Sequence, residues 1–362
     1  MTRTILACFS LTASLAVACT PEAKPNPAPE PTTPLDAPEK GKGFQIAVPE
    51  FEVAAGDEIQ NCYFYKVKDL LAQGGLDPTK SLNLHEIQIR QNSGSHHMNV
   101  FRVRTIQKLN PAEGTAYGKN GQGECFKSAN WSDWPLVANT QQDGHLNWTF
   151  PDGVANKIDP EETLMVQSHY VNATSQKSPG PAKVEINFFH IADSEVKAEM
   201  GTLFATKQSI RVCQSNPSPT FQGTCQFNNP EPVHVIGANG HFHSRGKQFD
   251  IYAWDGQSTE VPPASQKFYE SDAWDEPPMS HSPELSKDIP ANGGIFYTCD
   301  FEWTPPDPSV GCAGLNSYDG TKWMTPEDKQ DCCYTFGPIV EKNEHCNAFV
   351  YYYPKTDDVV CY

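Results

Sequence analysis

The chain has 362 residues and a net charge of −17. A surface that acidic repels phosphate backbones and excludes nucleic acid as a partner. Hydrophobic residues make up 38% of the chain, with 31 prolines and 25 glycines, a composition that suits loop-rich β structure better than packed helices.

Residues 1–18 read as an export signal, in which Arg3 precedes an apolar stretch from Ile5 to Val17. That stretch is too short to span a bilayer. Leu15-Ala16-Val17-Ala18-Cys19 resembles a bacterial lipobox, with Ala16 where leucine usually stands. Cys19 is then the lipid site, and the only membrane attachment is through that lipid. Residues 19–43 are rich in Pro, Ala, Glu and Lys, cannot bury a core, and read as an extended tether. The expected location is the outer membrane of a bacterium, on its periplasmic or cell-surface face.

From Phe44 the pattern turns to short strands. Phe44-Ile46-Val48, Cys62-Phe64-Lys66 and Leu82 to Arg90 alternate, and Leu164–Val171 and Val184–Ile191 give two more. Lys66 to Gln73 is the one brief helix. Gly74-Gly75, Asp77-Pro78, Asp152-Gly153 and Pro179-Gly180-Pro181 supply turns. A second set follows Glu195: Leu203–Val212, Val233–Trp254, Lys267–Tyr269, Gly294–Trp303 and Cys346–Tyr353. So many short strands exceed one sandwich. The expected fold is all-β, two tandem jelly-roll β-sandwich domains, 44–193 and 194–362.

The chain has 12 cysteines, and setting aside Cys8 and Cys19 leaves ten, an even number in an exported protein. That implies a disulfide framework. If bridges stay within domains, Cys62 pairs with Cys125. Cys361, one residue from the end, should staple the C-terminus to the body.

Histidine carries the chemistry. Ala238-Asn239-Gly240-His241-Phe242-His243 lies in the strand-like run from Val233, so His241 and His243, two apart, share a face and can share a metal ion. Phe242 points the other way, into a core. His96 and His97 are adjacent and face opposite ways on a flat strand. They meet only at a strand end or bulge, which Gly94 permits. His169, in Met165-Val166-Gln167-Ser168-His169-Tyr170, sits in another strand of the same domain, and His345 in Glu344-His345-Cys346-Asn347 is the distant partner for His241 and His243. Three histidines with one open position describe a catalytic rather than a sealed metal site. His85, His145, His190, His234 and His281 lack a partner pattern and read as ordinary polar groups.

His96-His97-Met98, a downstream His169-Tyr170, then His241-x-His243, then Glu344-x-Cys346-Asn347 resemble the copper type II, ascorbate-dependent monooxygenases, the family of peptidylglycine α-hydroxylating and dopamine β-monooxygenases. The order and rough spacing cover nearly all of residues 44–362. The resemblance implies two jelly rolls, each holding one copper across an open cleft. His96, His97 and His169 would hold the electron-transfer copper, and His241, His243 and His345 the oxygen-binding, catalytic copper. Ascorbate or another one-electron reductant would be co-substrate, and a C–H bond of a small-molecule or peptide substrate would be hydroxylated with O2 by a monomer. The resemblance also implies disulfides Cys62–Cys125, Cys299–Cys346 and Cys225–Cys361, leaving Cys213, Cys312, Cys332 and Cys333 with their pairing open.

Two departures stand out. His345 replaces the methionine that the family places in this segment. Imidazole is harder than a thioether and favours Cu(II). A retuned enzyme, a copper-binding protein without hydroxylase activity, and a thioether supplied by Met279 or Met324 instead all follow. Second, the arginine and tyrosine with which the family's peptide hydroxylases grip a carboxylate are here Asn239 and Phe349. Asn239 and the retained Asn347 are the candidate substrate contacts, and a C-terminal glycine peptide is not expected. A zinc hydrolase and a structural lipoprotein are the competing classes.

Overall fold

The computed structural model describes residues 34–92, 94–104, 116–117, 134–140, 144–172, 182–315, 325–337 and 339–362, all within one compact unit from Pro31 to Tyr362. Cys19, Cys125 and Met324 lie outside the described residues.

The alternation of apolar residues produces strands that bury one face against a partner sheet. The first sandwich runs β1 (Gly43–Ala47), β2 (Glu58–Lys66), β3 (Leu82–Gln91), β4 (Ser95–Arg102), β5 (Ala116–Tyr117), β6 (Leu136–Thr140), β7 (Gly144–Thr149), β8 (Val154–Ile158), β9 (Thr163–Val171) and β10 (Val184–His190). One sheet has the order β1-β10-β3-β8, with β7 also on β3, and the other is β5-β2-β9-β4-β6. Helix α1 (Val67–Gly74) follows β2 directly and stops where Gly75 takes φ 74°, a left-handed C-cap. β11 (Ala198–Glu199) runs parallel to β8, so the first sandwich reaches a few residues past Asp193.

The second sandwich continues with β12 (Gly201–Thr206), β13 (Arg211–Val212), β14 (Thr220–Gln226), β15 (Val233–His241), β16 (Gly246–Trp254), β17 (Lys267–Ser271), β18 (Ser280–His281), β19 (Lys287–Ile289), β20 (Gly294–Phe301), β21 (Tyr334–Phe336), β22 (Asn343–Glu344), β23 (Asn347–Tyr353) and β24 (Val359–Cys361). Its main sheets are β18-β15-β23-β12-β24 and β14-β20-β16-β17, with a small third sheet β13-β21-β22. The fold is therefore all-β and built of sandwiches, as expected. The run Val233–Trp254 is not one strand. It is β15 and β16, in different sheets, parted by a turn in which the Gly246 amide donates to the His243 carbonyl at 2.9 Å. Gly246 is required there, because a Cβ would lie 2.0 Å from the Phe242 ring.

Each sandwich has its own core, and the two meet over a broad face. In the antiparallel pairing of β15 with β23, Gly237, Asn239 and His241 stand opposite Tyr351, Phe349 and Asn347, so these side chains share one face. Phe349, Tyr351, Ile236 and Met279 pack into the first sandwich's core. Tyr351 meets Trp148 edge-on at 4.9 Å and donates its hydroxyl to Asn139 Oδ1 at 2.6 Å. Asn139 Nδ2 donates to Asn239 Oδ1 at 3.2 Å, and Trp148 Nε1 to Ser282 Oγ at 3.0 Å. The same strand face that welds the sandwiches together ends in His241 and Asn347.

Four disulfides join described residues: Cys213–Cys333, Cys225–Cys361, Cys299–Cys346 and Cys312–Cys332. Cys225–Cys361 and Cys299–Cys346 are the pairs that the resemblance implied, and the other two resolve the open set. Cys62 is disulfide-bonded as well. This framework places the mature chain in an oxidising, exported environment. Among the described residues no helix is long and apolar enough to cross a membrane.

Candidate metal centre

His96 and His97 sit at the start of β4, where the ladder to β9 slips. Ser95 faces Tyr170 and His97 faces His169, so His96 is the extra residue of a bulge. Gly94, at φ 94°, begins it. The bulge turns two neighbouring rings toward the same side, with centroids 5.2 Å apart. His169 comes from the adjoining strand, 4.7 Å from the His97 ring and 5.0 Å from His96.

His241 is the last residue of β15, and His243 lies just beyond it in the turn to β16. Their rings are 5.2 Å apart. His345 stands between β22 and β23, with its ring 4.3 Å from His243 and 5.2 Å from His241. The Cys299–Cys346 disulfide fixes the next residue to β20 in the opposite sheet. Glu344 joins the two loops. Its buried carboxylate accepts the backbone amides of His243 and Arg245, each at 3.0 Å, and lies 3.8 Å from the Arg245 guanidinium. Arg245 in turn covers the Tyr334 ring at 3.9 Å. Burial pushes the Glu344 carboxyl up to about 7, against the pull of Arg245 and those amides.

All six histidines are buried, none more than 7% exposed. Ligand nitrogens of His241, His243 and His345 lie within 4.8 Å of one another, and those of His96, His97 and His241 form a second such set. The set at the first sandwich thus contains His241 where His169 was expected, His169 reaching it through His97 Nδ1 at 3.4 Å, and the expected gap between two separate trios is closed. The His96 ring is 5.4 Å from His241 and 6.1 Å from His243. The cause is the sheet-to-sheet contact described above, which brings the ends of β4 and β15 together.

Hydrogen bonds select which nitrogens face inward. His169 Nε2 meets Glu58 Oε1 at 2.8 Å, and His97 Nε2 meets Gln167 Oε1 at 3.3 Å. With those nitrogens donating, both Nδ1 atoms carry lone pairs, and these face each other at 3.4 Å. Two nitrogens on one tetrahedral ion with bonds of about 2.0 Å are roughly 3.3 Å apart. His243 Nδ1 donates to the Asn343 carbonyl at 2.9 Å, which leaves Nε2 for a ligand. His96 Nε2 is buried with no hydrogen-bond partner among the described residues. Burial, with the neighbouring imidazoles adding to it, holds His96, His97, His241, His243 and His345 well below the ordinary histidine value. They are neutral at pH 7, the form that binds a metal. An all-imidazole set of this kind fits copper or zinc and does not suit magnesium or calcium.

The two candidate substrate residues differ. Asn239 is engaged at the seam, where it accepts from Asn139 and donates to the Pro278 carbonyl at 3.1 Å. Asn347, opposite His241 across the ladder, is buried, and its Oδ1 has no partner among the described residues. Met279 lines an open hollow with His281 and Glu284 and packs on the first core. Trp274 stands 6.2 Å from the His96 ring. Among the remaining histidines, His85, His190, His234 and His281 bond to backbone carbonyls or, for His234, to Asp288. Sequence reading missed Glu58, Gln167 and Trp274. Gln167 stood two residues before His169, on the same strand face, which was a usable signal.

No family model matches the chain, and no curated protein matches it. Among solved structures, it is similar to a chain of the top component of cowpea mosaic virus, its naturally occurring empty particles, at 7% identity, over 91% of this chain and 95% of that one, with a TM-score of 0.36. A chain of Sulfolobus turreted icosahedral virus gives 10% identity, 76% and 94% coverage and a TM-score of 0.24. The VP2 protein of infectious bursal disease virus gives 10%, 89% and 72%, and 0.17. Likenesses this faint carry nothing about function, so the reading of the centre rests on its own geometry.

Proposed function

We propose that the chain is an exported dicopper monooxygenase, anchored through Cys19, that hydroxylates a C–H bond of an organic substrate with O2 and a one-electron reductant such as ascorbate. His96, His97 and His169 hold one ion, and His241, His243 and His345 the other. The observation that carries this reading is the approach of His97 Nδ1 and His169 Nδ1 to 3.4 Å, with their opposite nitrogens tied to Gln167 and Glu58. In the tautomers in which those opposite nitrogens carry the protons, two lone pairs face each other and a metal cation between them relieves the repulsion.

Copper, when bound, would supply one-electron redox chemistry and a place for dioxygen. The protein's part is positional. Gln167 and Glu58 fix the tautomers of His97 and His169, and the Asn343 carbonyl fixes that of His243. Glu344 holds the His243 turn through its backbone amides, next to His345 in the chain. Asn347 offers a buried polar contact beside His241 for a substrate hydroxyl or carbonyl. A chain of charge −17 disfavours an anionic substrate.

Copper-loaded protein should consume oxygen when ascorbate and substrate-like alcohols or amides are added, and His243→Ala should abolish that uptake while retaining one ion. Uptake no greater than that of free copper would overturn the enzymatic reading. A second reading, a copper-binding protein without turnover, is favoured by the depth of the rings, none more than 7% exposed. The same oxygen measurement separates the two.

A further inference from the structure

We propose that Glu58, through His169, lowers the reduction potential of the copper ion that His97 and His169 would hold. The inference rests on the reading of the cluster as a two-copper centre.

Glu58 opens β2 and stands opposite Val171 on β9, which makes it the diagonal neighbour of His169 two residues back. The end of the strand is pinned: the Gly56 amide donates to the Asn172 carbonyl at 2.8 Å, and the Asn172 amide to the Asp57 carbonyl at 2.9 Å. The Glu58 carboxylate is thereby held 2.8 Å from His169 Nε2. The other tethers are neutral, an amide oxygen for His97 and a backbone carbonyl for His243. A hydrogen bond to an ionised acceptor is shorter and roughly twice as strong as a neutral one. It draws the Nε2 proton outward and gives the ring imidazolate character. Nδ1 becomes the stronger donor, and the oxidised ion gains most from it.

The need for such a bias follows from His345. With imidazole at that position the His241–His243–His345 set is all-nitrogen, and the harder ligand would lower the potential of an ion held there toward that of the ion at His97 and His169. A charged tether on His169 would lower the potential there and restore the difference. Copper held at His97 and His169 would then give up its electron more readily than copper at the His241–His243–His345 set, and a one-electron reductant of the ascorbate class would restore it.

The test is a potentiometric titration of the copper-loaded protein, with Cu(I) and Cu(II) counted from the copper X-ray absorption edge. The native chain should show two one-electron steps. In Glu58→Gln the lower step should move up by about tenfold in its equilibrium constant, or 59 mV, and the upper step should stay. Glu58→Asp keeps the charge on a shorter arm and should shift the same step by less; it decides the matter if the glutamine variant fails to fold. Two ions bound with an unmoved lower step in both variants overturns the role of Glu58 and leaves the copper reading intact. A native chain that binds no copper overturns both.

Discussion

At the scale of single residues, the centre depends on keeping imidazoles neutral. Burial holds five of the six histidines well below 6.5, the value they regain on unfolding. The unfolded chain therefore binds more protons than the folded one once the pH drops below 6.5, and stability must fall with the pH. Each such histidine contributes up to about 1.4 kcal/mol per pH unit. Metal-free protein should hold its full stability above pH 6.5 and lose it progressively toward pH 5. Chemical denaturation across that range checks this, and a flat profile would mean that the rings are solvated. The neighbours that orient the rings are distant in sequence: Gln167 is 70 residues from the His97 ring it meets, and Glu58, 111 residues from His169, becomes visible only once β2 pairs with β9.

At the scale of elements, alternation in the sequence was enough to place most strands, because a half-buried strand needs a period of two. Gly94 pointed to the bulge that β4 contains at His96. The run through His241 misled, since its alternation continues across a turn that Gly246 makes possible. Both histidines still face the centre, because the turn begins only after His241. The His345 segment owes its place to two restraints, Glu344 on the His243 turn and Cys346 on β20. The Cys299–Cys346 bridge closes a loop of 47 residues in sequence separation, a length at which loss of a disulfide costs about 2–4 kcal/mol. The paired variant Cys299→Ala with Cys346→Ala should be destabilised by that amount in denaturation and should bind the second ion at least tenfold more weakly. Unchanged affinity would show that Glu344 alone positions His345.

At the scale of the whole molecule, the sequence indicated two sandwiches but not their contact. Resemblance suggested ions facing each other across a cleft. The face of β15 and β23 instead buries Phe349 and Tyr351 in the first sandwich's core, and the Asn139–Asn239–Tyr351 hydrogen bonds seal the seam. Nothing in a one-dimensional pattern tells an interface tyrosine from a core tyrosine. The result is one cluster of six imidazoles, in which His241 belongs to both three-nitrogen sets and His169 joins through His97. The most direct test of this account is the metal content of purified protein after loading with copper in the presence of equal zinc, followed by desalting. Two copper ions per chain is the predicted result, in keeping with the tighter binding of copper by nitrogen ligands. Retention of zinc, or of no metal at all, would contradict it.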